Sequence, residues 1–129
     1  MEWDVIDTYT RAEAIEDGVL VDVTEMAKEA GINDPVALTE TVYSMIENKP
    51  ELEDISGRTW EIIWMLRCAI TGLIPSKKVG ESLIYFKMIL NDSNVDYENF
   101  KPKEITLKAL RHGGDAGEPV ITVMLPEED

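Results

Sequence analysis

His112 is the chain's only histidine and Cys68 its only cysteine, so nucleophile and general-base chemistry has a single thiol–imidazole pair to draw on. A thiolate activated by imidazole needs its sulfur at a cleft. Cys68 instead sits inside the apolar run Trp60 to Leu73, where a buried structural thiol is the expected outcome. Zinc is starved in the same way, because structural sites take about four Cys or His ligands and catalytic sites about three protein ligands. A Walker loop and a G-x-G-x-x-G are both absent. Carboxylates are plentiful. Glu51, Glu53 and Asp54 stand together in NKPELEDIS and offer hard oxygen ligands to Mg²⁺ or Ca²⁺, but the EF-hand spacing with its glycine and distal glutamate is missing. Asp115 and Glu118 in HGGDAGEP are the second candidates. For them turn chemistry is the stronger reading: Gly113, Gly114 and Gly117 supply positive φ, and Asp115 bonds its own backbone. His112, Gly114, Asp115, Gly117 and Glu118 therefore mark a loop of functional interest. No catalytic, cofactor-binding or metal-ligating residue is assigned, no cofactor is expected, and enzymatic activity is the weaker alternative.

The elements that would position these residues follow from patterning. Gly57 to Leu73 reads as a central helix of about 57–73, apolar nearly all round, with Ile62, Ile63, Leu66, Ala69, Ile70 and Leu73 on one face and Trp60, Trp64, Met65 and Cys68 on the other. Such a helix needs covering on more than one side, so Trp60, Trp64, Leu66 and Ile70 are expected in the core. Its charged interruptions make it unfit to span a membrane. Thr10 to Glu13 is a T-x-x-E capping box opening a short helix that closes at Gly18. Residues 19–23, VLVDV, read as a strand, Thr24 as the cap of a second short helix ending at Gly31, and 36–47 as a third helix with Thr39 capping its regular part. Residues 75–80 read as a basic turn and 91–102 as a polar linker. Runs at about 104–111 and 119–125 flank the glycine-rich connection as a hairpin, and 82–90 adds a third strand. The expected class is α+β: a three-stranded antiparallel sheet (82–90, 104–111, 119–125) plus a short strand at 19–23, packed on the central helix and shorter N-terminal helices, as one domain over 1–129.

Charge is the strongest functional signal. The chain has 26 acids against 12 bases, a net −14, and residues 1–64 hold 16 acids against 4 bases. Such a surface repels phosphate backbones and anionic membranes, which disfavours direct nucleic-acid or membrane binding and favours a basic protein partner. Glu51, Glu53 and Asp54 are the expected partner-binding residues. Lys77, Lys78, Lys87, Lys101, Lys103, Lys108 and Arg111 gather in the second half and are expected to balance the acidic half. The start MEWDVIDTYT lacks the basic and apolar regions of a signal peptide, which points to a cytoplasmic protein. Homo-oligomerisation through an exposed sheet edge is a further alternative.

Several stretches carry a likeness to a known family. YTRAEAIEDGVLVDV at Tyr9 to Val23, Pro35 to Thr39, Gly57 to Trp60 with Trp64 and Met65, and the C-terminal run containing GEPVITVMLPEED resemble a family of short uncharacterised proteins of bacteria, phages and plasmids, known as a domain of unknown function. The resemblance implies a mobile-element setting and supplies no catalytic residues.

Overall fold

The computed structural model describes residues 9–47, 55–89 and 104–128. Along them run α1 (Arg11–Glu16), β1 (Leu20–Asp22), α2 (Thr24–Glu29), β2 (Val36–Thr39), α3 (Glu40–Glu47), α4 (Ile55–Thr71), β3 (Ser76–Val79), β4 (Leu83–Ile89), β5 (Glu104–Gly113) and β6 (Pro119–Met124). The strands form one six-stranded sheet in the order β1-β2-β6-β5-β4-β3. The class is α+β, but the expected three-stranded antiparallel sheet with one extra strand is overturned, because the sheet has six strands and is mixed: β2 runs parallel to β6, with Val36 opposite Ile121 and Leu38 opposite Val123.

Two additional strands, β2 and β3, account for the difference. Val36–Thr39 was expected to start a helix and is a buried strand. A short apolar run has no periodicity that separates strand from helix, and the partner edge of β6 decides it. Ser76–Val79, expected as a turn, pairs antiparallel with β4. Local punctuation fared better. Thr10 Oγ1 accepts from the Glu13 amide at 3.0 Å at the start of α1, and Gly31, at φ 93°, ends the turn after α2. Thr39 Oγ1 accepts from the Val42 amide at 3.3 Å, capping α3. Thr24 is not a cap: the N-cap position falls on Val23, and the Asp22 carboxylate accepts from the Thr24 amide at 3.1 Å.

The core lies on one face of the sheet. Ile84, Phe86, Met88, Leu107, Ala109, Ile121 and Val123 pack with Val36 and Leu38 against Ile62, Ile63, Leu66 and Ala69 of α4 and Val42 and Ile46 of α3. The all-round covering expected of α4 is corrected. Leu66 is fully buried, but Trp64 and Ile70 are each 41% exposed and Leu73 is 69% exposed. Trp64 is held by neighbours on its own helix, stacking on Trp60 at 6.0 Å between ring centroids and lying under the Arg67 guanidinium at 5.3 Å. Alternation places Tyr85, Lys87, Lys108, Leu110, His112 and Thr122 on the opposite, second face.

Candidate functional site

The hairpin β5–β6 has the predicted glycine-rich connection, and its tip is built differently from expectation. The Gly114 amide donates to the Glu118 carbonyl at 2.6 Å and the Gly117 amide to the Gly114 carbonyl at 3.0 Å. Of Gly113, Gly114 and Gly117, Gly117 alone has positive φ, at 82°. Gly114 is required for space: a Cβ there would lie 2.1 Å from Glu118 Oε1 and 3.0 Å from Val120 Cγ1. Asp115 does not bond its own backbone. Its two carboxylate oxygens accept from the amides of Arg11 at 2.7 Å and Ala12 at 3.0 Å, so the hairpin tip clamps the first turn of α1. Glu118 Oε2 accepts from the Ala116 amide at 2.9 Å. Both carboxylates once open to catalysis are thereby committed to local structure.

The clamp sets Arg11 over the second face of the sheet. Its Nη1 donates to Thr122 Oγ1 at 2.8 Å and its Nη2 to the Ile121 carbonyl at 2.9 Å. Burial lowers the Arg11 pKa from its ordinary value, opposed by the charges of Asp22, Asp115 and Glu118. His112 Nε2 lies 2.8 Å from Thr122 Oγ1, and Nδ1 lies 3.1 Å from the Gly113 carbonyl oxygen. A carbonyl can only accept, so this contact puts a proton on Nδ1, and in the neutral ring Nε2 then accepts the Thr122 hydroxyl. The chain therefore runs Arg11 to Thr122 to His112 to Gly113. It floors an open cleft of about 680 Å³ whose walls include Thr10, Thr39, Glu40, Asp115 and Glu128. A hydroxyl beside an imidazole suggests nucleophilic chemistry. The Arg11 guanidinium also donates to this threonine oxygen, and the same pair of bonds docks α1 on the sheet. Cys68 is buried on α4, which packs on the core face of the sheet, whereas His112 belongs to the second face.

The C-terminal turn contributes Glu128 to the wall of the cleft. Glu128 Oε2 accepts from Thr39 Oγ1 at 2.9 Å and from the Leu125 amide at 2.7 Å, and Lys108 Nζ donates to the carbonyls of Pro126 and Glu128. Arg11, Thr122 and Glu128 were not singled out from sequence. They are far apart along the chain, and only the β5–β6 register and the clamp by Asp115 bring them together.

The larger feature is the distribution of charge across the sheet. β1 and β3 are the two outer strands, and five strand spacings separate them by about 24 Å. Residues 9–47, which supply the β1 end, hold nine acids against two bases. Glu13, Glu16, Asp17, Asp22, Glu25, Glu29 and Glu40 are all exposed. The ion pairs formed by residues of this end, among those described, are Glu25 with Lys28 at 3.6 Å and Asp34 with Arg111 at 2.8 Å. Residues 76–89 at the other end hold three bases against one acid. Among the described residues the second-half cations make one such contact with the acidic half: Arg111 reaches Asp34, whereas Lys87 pairs with Glu104 at 3.9 Å and Lys108 binds carbonyls. Lys101 and Lys103, like Glu51, Glu53 and Asp54, lie outside the described residues. No group of three His, Cys, Asp or Glu side chains suited to a metal occurs among the described residues, and no described helix is long and apolar enough to cross a membrane.

A family of unknown function, DUF6573, matches residues 2–129. No curated protein and no solved structure matches.

Proposed function

The chain belongs to this family of unknown function, and we propose that the protein is a non-enzymatic acidic docking protein whose β1 end engages a basic protein partner. The observation that carries the reading is the gathering of exposed acids on α1, β1, α2 and the start of α3, with two bases among residues 9–47 to offset them. Like charges held at one end cost self-repulsion, and a basic surface relieves it while steering encounter. The setting we propose is the cytoplasm of a bacterium carrying a phage or plasmid. The extreme form of the role is mimicry of DNA charge that blocks a nucleic-acid-binding protein.

The test is capture of basic proteins from a bacterial host extract, followed by on-rate measurement with the purified partner from low to moderate salt. The on-rate is expected to fall steeply with salt, since steering acts on association. Glu16→Lys with Glu29→Lys and Glu40→Lys, all exposed positions, should abolish capture without lowering the melting temperature below that of the parent. An on-rate indifferent to salt would reduce the acids to a solubility coat.

A further inference from the structure

At the opposite end of the sheet, we propose that the outer edge of β3 receives an extended acidic segment of another protein, which adds to the sheet as a further strand. β3 is an outer strand, and all four of its residues are exposed. The outward backbone groups of such an edge are a template for strand addition. Register places the lysines on both sides of that template. Lys77 is opposite Tyr85 and shares the second face with it, whereas Lys78 is opposite Ile84 and lies toward the core face. An added strand also alternates its side chains between the faces, so acids at successive positions would meet a lysine on either side. Neither Lys77 nor Lys78 forms an ion pair among the described residues.

A groove adjoins the edge. Pro75, Lys77, Val79, Tyr85, Lys87 and Thr106 line an open depression of about 570 Å³ on the second face, and Val79 is 47% exposed at its rim. It offers an apolar floor to a side chain of the incoming strand, with lysine amines at the border. The occupant therefore combines acids with an interspersed apolar residue.

Charge chooses between occupants. Pairing of two β3 edges would bring lysines of both copies together, the usual guard against edge-to-edge association, and each copy carries a net −14. An acidic strand meets the reverse situation locally. The concentrated acids of the β1 end do not cancel this, because they lie about 24 Å away and screening at physiological salt reaches about 8 Å. The β3 surface is independent of the acidic end, so a failure at one leaves the other standing.

The experiment uses the full chain and three synthetic peptides: one of repeated Glu-Glu-Val, its Lys-Lys-Val counterpart, and the acidic peptide N-methylated at successive residues. Fluorescence anisotropy reads binding, and hydrogen exchange reads amide protection at Ser76 to Val79. The acidic peptide should bind, weaken with salt, and slow exchange in β3. The lysine peptide should not bind. N-methylation at successive residues should abolish binding, since it removes the backbone donors of both strand edges and leaves every charge in place. Lys77→Glu with Lys78→Glu should weaken binding about tenfold, as expected for two exposed pairs converted to repulsions. Lys77→Gln with Lys78→Gln gives an intermediate loss and guards against misfolding of the reversed variant. Glu16→Lys with Glu29→Lys and Glu40→Lys should leave peptide binding in place. Equal binding of the lysine peptide, insensitivity to N-methylation, or concentration-dependent self-association that protects β3 without peptide would each overturn the proposal.

Discussion

Tyr9 shows how one contact changes a side chain's chemistry. Its hydroxyl donates to Asp17 Oδ2 at 2.6 Å. Loss of the phenolic proton would break that bond and set two anions together, so its pKa is pushed up to about 12 from 10.0. The neutral phenol is the form favoured by folding. Its contribution to stability is therefore fully present below pH 10.0 and is lost as pH rises through about 12. Absorbance titration of tyrosinate should show a late-titrating group that is absent in Tyr9→Phe and moved back toward the ordinary value in Asp17→Asn. The hairpin tip gives a second residue-scale prediction. Gly117→Ala places a Cβ in open space but keeps φ at 82°, which should cost about 1 kcal/mol in denaturant unfolding. Gly114→Ala fails for a different reason, because the new Cβ displaces the Glu118 carboxylate. Removing Glu118 at the same time should recover much of the loss. Equal costs with and without Glu118 would count against that explanation. Arg11→Ala should cost about 1–3 kcal/mol by leaving the Ile121 carbonyl and Thr122 hydroxyl without their donor.

At the scale of elements, α4 separates burial from hydrophobicity. Leu66 and Trp64 belong to the same apolar run, yet Leu66 is fully buried and Trp64 is 41% exposed. Leu66→Ala should destabilise by about 2–5 kcal/mol through lost contacts and a cavity. Trp64→Ala gives up stacking on Trp60 and the contact with Arg67, which together are worth about 1–2 kcal/mol at a surface. If the tryptophan proved the costlier loss in equilibrium unfolding, the outer face of α4 would be covered in solution. The β2–β6 pairing is the other decisive element. It is the parallel joint at which the N-terminal β1–β2 pair attaches to the antiparallel β6-β5-β4-β3 strands.

For the whole molecule, net charge of −14 and its concentration at the β1 end predict opposite effects of salt on two measurements. Screening relieves repulsion in the free protein, so its melting temperature should rise with NaCl. The same screening should weaken association at the acidic end. A melting temperature that fell over the same range would mean that attractive charge pairs outweigh repulsion in the fold, contrary to the sparse ion pairing of residues 9–47.

The sequence by itself determined what depends on neighbours in the chain. Thr10 at the start of α1, Gly31 after α2, Thr39 before α3 and the glycine-rich turn between β5 and β6 were legible because caps and turns act over a few residues. Acidity concentrated in the first half was legible for the same reason, being a count. Tertiary structure alone decided the roles of Val36–Thr39 and Ser76–Val79, whose patterns are too short to declare a period and whose strand character comes from the edges of β6 and β4. It alone decided that Asp115 clamps α1, since a carboxylate in a turn has no local sign of a helix terminus more than a hundred residues away. The separation of an acidic β1 end from a basic β3 end also required the fold, because strand order in a sheet, not order along the chain, sets the distance between charges.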